Sequence, residues 1–153
     1  MAGKAETISE AEQLAAAVLD DGRALKKFRE MVAAQGGDVS QIDNPDLLPR
    51  AKYIEDIVMM RDGYIASMDT SELGWAGVNL GGGRRVKSDT IDPAVGFTLN
   101  VKIGDPVSAG QVIGKIHAND VQKLEEARRQ ILDAIEISET PVEPLPHFYG
   151  VIS

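Results

Sequence analysis

Between residues 9 and 20, apolar side chains recur at Ala11, Leu14, Ala15 and Val18, a spacing that lines them along one face of a helix. Ser9 and Glu12 stand at the S-x-x-E spacing of a reciprocal N-terminal cap. Asp21-Gly22 interrupts the pattern, and Leu25, Phe28 and Val32 predict a second helix ending at Gly36-Gly37. Asp43-Asn44-Pro45 and Leu47-Leu48-Pro49 read as turn and linker, because a residue before proline is pushed out of the helical region. Two helices with one apolar stripe each cannot bury both stripes alone, so they predict a partner surface.

Beyond Pro49 the pattern changes. Residues 57–60 and 64–66 are apolar runs around Asp62-Gly63, a strand–turn–strand signal. Asp69 and Glu72 repeat the capping spacing ahead of Leu73, Ala76 and Leu80, predicting a short helix closed by Gly81-Gly82-Gly83. Phe97, Leu99, Val101 and Ile103 alternate strictly with Thr98, Asn100 and Lys102, as in a half-buried strand. Gly104-Asp105-Pro106 and Gly110-Gln111 then turn the chain into a strand over 112–117. Asn119 or Asp120 caps a long helix with Val121, Leu124, Ile131 and Ile135 inward and a Glu125–Arg129 ion pair outside. A proline-punctuated tail leads to a closing strand over 147–152. The order β-β-α-β-β-α-β is α+β: a helical pair over 1–48, then a domain over 49–153 with mixed strands and two helices.

Composition narrows the classes of function. The chain has 153 residues, 43% hydrophobic and 26% charged, as in ordinary globular domains. Sixteen Lys and Arg against 24 Asp and Glu give a net charge of -8, which argues against nucleic acid or an anionic membrane as partner. With no cysteine there is no disulfide frame and no thiolate ligand, and a cytoplasmic location is expected. Residues 1–6 carry no apolar core behind Lys4, and no run reaches the ~20 apolar residues of a membrane span.

The sharpest local chemistry is Gly81-Gly82-Gly83-Arg84-Arg85 with Lys87 behind it. Glycines let backbone N–H groups approach an anion, and cations add charge. The run matches neither a phosphate loop nor a dinucleotide fingerprint, so a helix end with solvated cations is the plainer reading. His117 and His147 stand alone, without metal-ligand or triad spacing, and no metal site is expected. Trp75, the only tryptophan, is expected to pack with Leu73, Ala76 and Leu80. The stretch Gly104-Asp105-Pro106-Val107 to Gly110-Gln111 sets two tight turns around one valine. It resembles the hammerhead, or barrel-sandwich, corner of biotinyl and lipoyl carrier domains, but no Met-Lys-Met is present to be modified.

A wider resemblance rests on Leu80-Gly81-Gly82-Gly83-Arg84, then Asp89-Thr90-Ile91-Asp92-Pro93-Ala94-Val95-Gly96, then Ile103-Gly104-Asp105-Pro106-Val107. Gly22 to Phe28, Gln35 to Asp38, Pro49 to Tyr53 and Asp62-Gly63-Tyr64 extend it. In this order the chain resembles the C-terminal portion of the pyrimidine-nucleoside phosphorylase and thymidine phosphorylase family, with Gly82 for the usual alanine and Pro93 for an aliphatic residue. The resemblance implies that 1–48 are the last helices of the family's α/β domain and that 49–153 are its C-terminal, hammerhead-like α+β domain. It implies a glycosyltransferase parent that cleaves thymidine, uridine or deoxyuridine with phosphate as co-substrate and without a cofactor.

The family's phosphate- and base-holding motifs do not occur in this chain. A pre-organised phosphate cradle and support for an oxocarbenium-like sugar need more than one glycine-arginine loop. The chain alone is therefore expected to be inactive, with no catalytic residue and with the N-terminal α and α/β domains of a homodimeric parent as partners. The resemblance assigns Gly81, Gly82, Gly83, Arg84, Arg85, Lys87, Asp89 and Asp92 to a loop that reorders when domains close. Two rivals predict different observations: a stand-alone carrier module, a covalent mass increment; an autonomous phosphorylase, release of base by this chain alone.

Overall fold

The computed structural model describes residues 3–150 and divides into two compact units, Met1–Leu48 and Pro49–Ser153. In the first unit, α1 (Ile8–Asp20) is capped by Thr7, two residues before the expected cap. Thr7, in extended conformation, accepts from the Glu10 N–H at 3.2 Å, and the Glu10 carboxylate accepts from the Glu6 N–H at 2.8 Å. The cap is thus made by Thr7, with Glu10 reaching back to Glu6, and not by Ser9 and Glu12, because Ser9 already lies inside the helix. α2 (Arg23–Ala34) follows Gly22, whose φ of 81° lets the chain reverse, and Gly36 at φ 76° ends it. Where a plain linker was expected, α3 (Ser40–Asp43) and a 3-10 turn (Pro45–Leu47) fill the segment, and Arg29 pairs with Asp43. No described residue of this unit is buried, and Leu14, Leu25 and Phe28 are exposed.

The second unit holds six strands: β1 (Tyr53–Val58), β2 (Gly63–Met68), β3 (Gly96–Leu99), β4 (Pro106–Val107), β5 (Val112–Ala118) and β6 (Ile135–Ser138). They form two three-stranded sheets, ordered β1-β5-β3 and β4-β2-β6, and every pairing is antiparallel. Two helices, α4 (Thr70–Gly77) and α5 (Val121–Asp133), complete an α+β domain. The core runs through both sheets and α5, with Ile57, Ile65, Ile113, Ile116, Leu124 and Ile131 fully buried.

Several local expectations change. β1 and β2 do not pair across Asp62-Gly63. Met59 exchanges backbone hydrogen bonds with Gln111 (2.9 Å) and Gly110 (2.8 Å), and the chain crosses there from one sheet to the other. β3 ends at Leu99: the Asn100 N–H still donates to the Ile113 carbonyl at 2.8 Å, but the pairing goes no further, while Val101 still reaches the core. Ile135 opens β6 instead of closing α5, adding a strand pairing to β2. Val121 and Trp75 are 53% and 52% exposed; the inward row is Leu73 and Ala76 on α4 with Leu80 just beyond its end, and Trp75 lies off it. Glu125 pairs with Arg128 at 2.9 Å, not Arg129, since Arg128 is also drawn to Glu55 on β1. Residues 147–150 carry no strand, and positions 151 and 152 of the expected closing strand lie outside the described residues. Among the described residues, no helix is long and apolar enough to cross a membrane.

Candidate functional site

The site begins where α4 loosens. Beyond Gly77 the helix widens into a π-turn (Val78–Gly82), with Leu80 buried beneath it and Gly81 at φ 110°. That left-handed backbone suits glycine. Gly82 and Gly83 are there for space: a Cβ on Gly82 would meet the Gly77 and Val95 carbonyl oxygens at 3.2 Å, and one on Gly83 would sit 2.7 Å from Val78 Cγ2. The three glycines are packed against their neighbours in this conformation.

The loop over 81–92 is closed at its base and braced in its middle. The Gly81 carbonyl accepts from the Asp92 N–H at 3.0 Å, joining the two ends. Asp89 Oδ2 accepts from the Arg85 and Val86 N–H groups at 2.9 and 3.1 Å, making a tight internal turn. Asp92 Oδ1 accepts from the Ala94 N–H at 3.0 Å, and its Oδ2 accepts from Asn119 Nδ2 at 2.7 Å. The Ala94 N–H above all, then Asn119, hold the Asp92 carboxyl below the usual aspartate range against the opposing effect of burial, and the charge of Lys123 adds least. Asn119 Oδ1 in turn accepts from the Lys52 N–H at 2.7 Å, so the loop base is tied to the start of β1.

Gly81, Gly83, Arg85 and Asp89 face a cleft of about 570 Å³ whose far wall is the first turns of α5, including Lys123 and Glu126. Gly82 and Asp92 do not line it. Arg84 and Lys87 are exposed and form no hydrogen bond or ion pair among the described residues. Arg85 is exposed as well, and its guanidinium donates to Asn79 Oδ1. The cleft offers cationic and acidic groups in a mixed lining, suited to holding a loop or a polar group. Among the described residues, no cluster of His, Asp and Glu is placed to hold a metal ion.

Two features of this arrangement escaped the sequence reading: Asn79 and the bridging role of Asn119. Asn119 left a trace. Two capping residues stand side by side, only Asp120 can cap α5, accepting from the Lys123 N–H at 2.9 Å, and Asn119 is left to bridge. His117 sits half-buried on β5, paired in register with Ile54 and Gly96. At the β4–β5 corner, residues 108–111 place no lysine on the turn.

Comparison with known proteins places this geometry. Residues 64–138, which contain the whole loop and both flanking helices, match the pyrimidine nucleoside phosphorylase C-terminal domain. A pyrimidine-nucleoside phosphorylase of Geobacillus stearothermophilus is 39% identical over 153 residues, covering 100% of this chain and 35% of that protein. One from Staphylococcus aureus is 39% identical over 144 residues, covering 94% of this chain and 33% of its own length. The chain thus spans about a third of the curated relatives it matches. It belongs to the pyrimidine-nucleoside phosphorylase family, whose C-terminal domain it carries.

Proposed function

We propose that this chain serves a pyrimidine-nucleoside phosphorylase as the domain that closes over the reacting centre, with the loop over 81–92 as the closing element. The reaction is attack of a phosphate oxygen on the anomeric carbon of thymidine, uridine or deoxyuridine, breaking the C–N bond and releasing the free base and a pentose 1-phosphate. Closure in such a reaction excludes water and fixes the reactants in line. The observation that carries the reading is the position of the braced glycine-arginine loop inside the matched segment, with Arg84 and Lys87 projecting into solvent as free cations.

The groups that hold phosphate and base belong, on this reading, to the family's N-terminal α and α/β domains, and residues 1–48 are the last helices of that α/β domain. Their exposed apolar stripes are consistent with it. The proposed assembly is a homodimer of the whole enzyme in the cytoplasm, using phosphate as co-substrate and no cofactor. The net charge of -8 accords with a partner other than nucleic acid or membrane.

Two measurements test the proposal. The 153-residue chain alone, given nucleoside and phosphate, should release no uracil or thymine. In the intact enzyme, Arg84→Ala should lower kcat by about tenfold while changing nucleoside binding less than twofold, as expected when an interaction forms only on closure. Unchanged kcat and KM in that variant would remove the closure role.

A further inference from the structure

Beside the loop, four side chains form a continuous hydrogen-bonded chain with one direction. The Arg85 guanidinium donates to Asn79 Oδ1. Asn79 Nδ2 donates to Gln130 Oε1 at 3.0 Å, and Gln130 Nε2 donates to the Glu72 carboxylate at 2.9 Å and to the Glu72 carbonyl oxygen at 3.2 Å. A guanidinium can only donate and an ionised carboxylate can only accept, so the two ends dictate which way both amides point. Each amide passes the polarity of one charge toward the other, an arrangement in which neighbouring bonds reinforce each other.

The chain crosses four separate pieces of structure. Arg85 lies in the loop, Asn79 in the π-turn, Gln130 on α5 and Glu72 in the first turn of α4. Asn79 lies between two clefts: the one under the loop, and a neighbouring one of about 590 Å³ that Glu72 and Gln130 help to line. Asn79 and Gln130 are half-buried, where losing one partner leaves the other polar group poorly solvated.

Resting on the closure reading above, we infer that Asn79 and Gln130 are positioning residues that latch the glycine-arginine loop, and that Glu72 anchors the latch from outside the loop's own cleft. The loop carries its own reporter: Arg84, Arg85 and Lys87 are trypsin sites, and because a protease acts on the opened form, cleavage there should quicken as the latch weakens. Cleavage after Lys115 and Arg128, in β5 and α5, reports unfolding of the whole domain instead.

The test is limited trypsin digestion of the 153-residue chain, followed by fragment mass. Gln130→Met keeps the bulk of the side chain and removes its polar ends. It should speed loop cleavage about fivefold, the factor that accompanies loss of one ordinary hydrogen bond, with cleavage at Lys115 and Arg128 changed less than twofold. Glu72→Ala should act alike, and Glu72→Gln, which keeps an acceptor, should restore the slow rate. Asn79→Asp keeps an acceptor for Arg85 but no donor for Gln130, so adding Gln130→Met to it should speed the loop no further. Loop cleavage within twofold of the parent rate in Gln130→Met overturns the latch, as does full multiplication of rates in the double variant. If Gln130→Met unfolds the whole domain, the Glu72 pair decides: equal rates in Glu72→Ala, Glu72→Gln and parent overturn it. The digestion uses no substrate, so failure of the latch is distinct from failure of the closure role, which rests on the kinetics of Arg84→Ala.

Discussion

Asp92 shows how much one carboxylate can organise. It joins the end of the loop to the following turn through Ala94 and to the β5–α5 corner through Asn119. Its pKa in the folded chain lies below its unfolded value, so the stabilisation is fully present above the ordinary aspartate value near 3.8 and is lost as pH falls through the lowered one. Amide exchange of Ala94, followed as pH is lowered toward 2.5, should therefore gain speed relative to core amides only below the ordinary aspartate range. In Asp92→Asn that added pH dependence should vanish; its persistence would reassign it to another group. The position of Asp92 was legible in the D-x-I-D-x-A-V-G run. Its partner was not, since Asn119 lies 27 residues further on and no local rule joins them. For the same reason Glu125 was paired with the wrong arginine: helix spacing allows both 128 and 129, and only Glu55 on another strand selects between them.

At the level of elements, β5 is the member on which the β1-β5-β3 sheet depends, since it alone pairs with both β1 and β3. Gly114 lies opposite both neighbours, and a Cβ there would stand 2.0 Å from the Thr98 carbonyl oxygen. Backbone on backbone cannot yield as a side-chain tip can. Gly114→Ala should cost about 3 kcal/mol by urea unfolding, the upper end of what overpacking brings. A change under about 0.5 kcal/mol, the range of an ordinary surface substitution, would show that β3 moves aside freely. The kind and approximate place of most elements could be read from periodicity: α1, α2, α4, α5 and the strands on either side of residue 60 all lie near their expected spans. Partnership could not. Alternation tells which face of a strand is wet and says nothing about which strand lies beside it, so Asp62-Gly63 looked like a hairpin while β1 and β2 went to different sheets. Strand β3 was overextended because Val101 and Ile103 keep the alternating burial without keeping the pairing.

Across the whole molecule, burial is distributed unequally. Every buried hydrophobic residue among those described falls between Ile57 and Ile135, and the unit Met1–Leu48 has none. Residues 49–153 expressed alone should keep the unfolding midpoint of the parent chain within about 3 °C, read by near-UV circular dichroism. Residues 1–48 alone should show less than about half the ellipticity at 222 nm expected of its helices, because helices this short are marginal without packing. A drop of 10 °C or more in the shorter chain would show that the core draws on the first unit.

The crossing of β1 and β2 into different sheets also sets a schedule for synthesis. β1 finds its partner only when residues 112–118 have been made, and β2 completes its sheet only when 135–138 have. A chain arrested at residue 110 would hold β1 and β3 with no central strand between them and only the short β2–β4 pairing formed. Such loop closures span more than half the domain, which makes the fold slow to nucleate and leaves unpaired edges during that interval. On the ribosome, this domain is a structure that arrives nearly all at once, after its last strand.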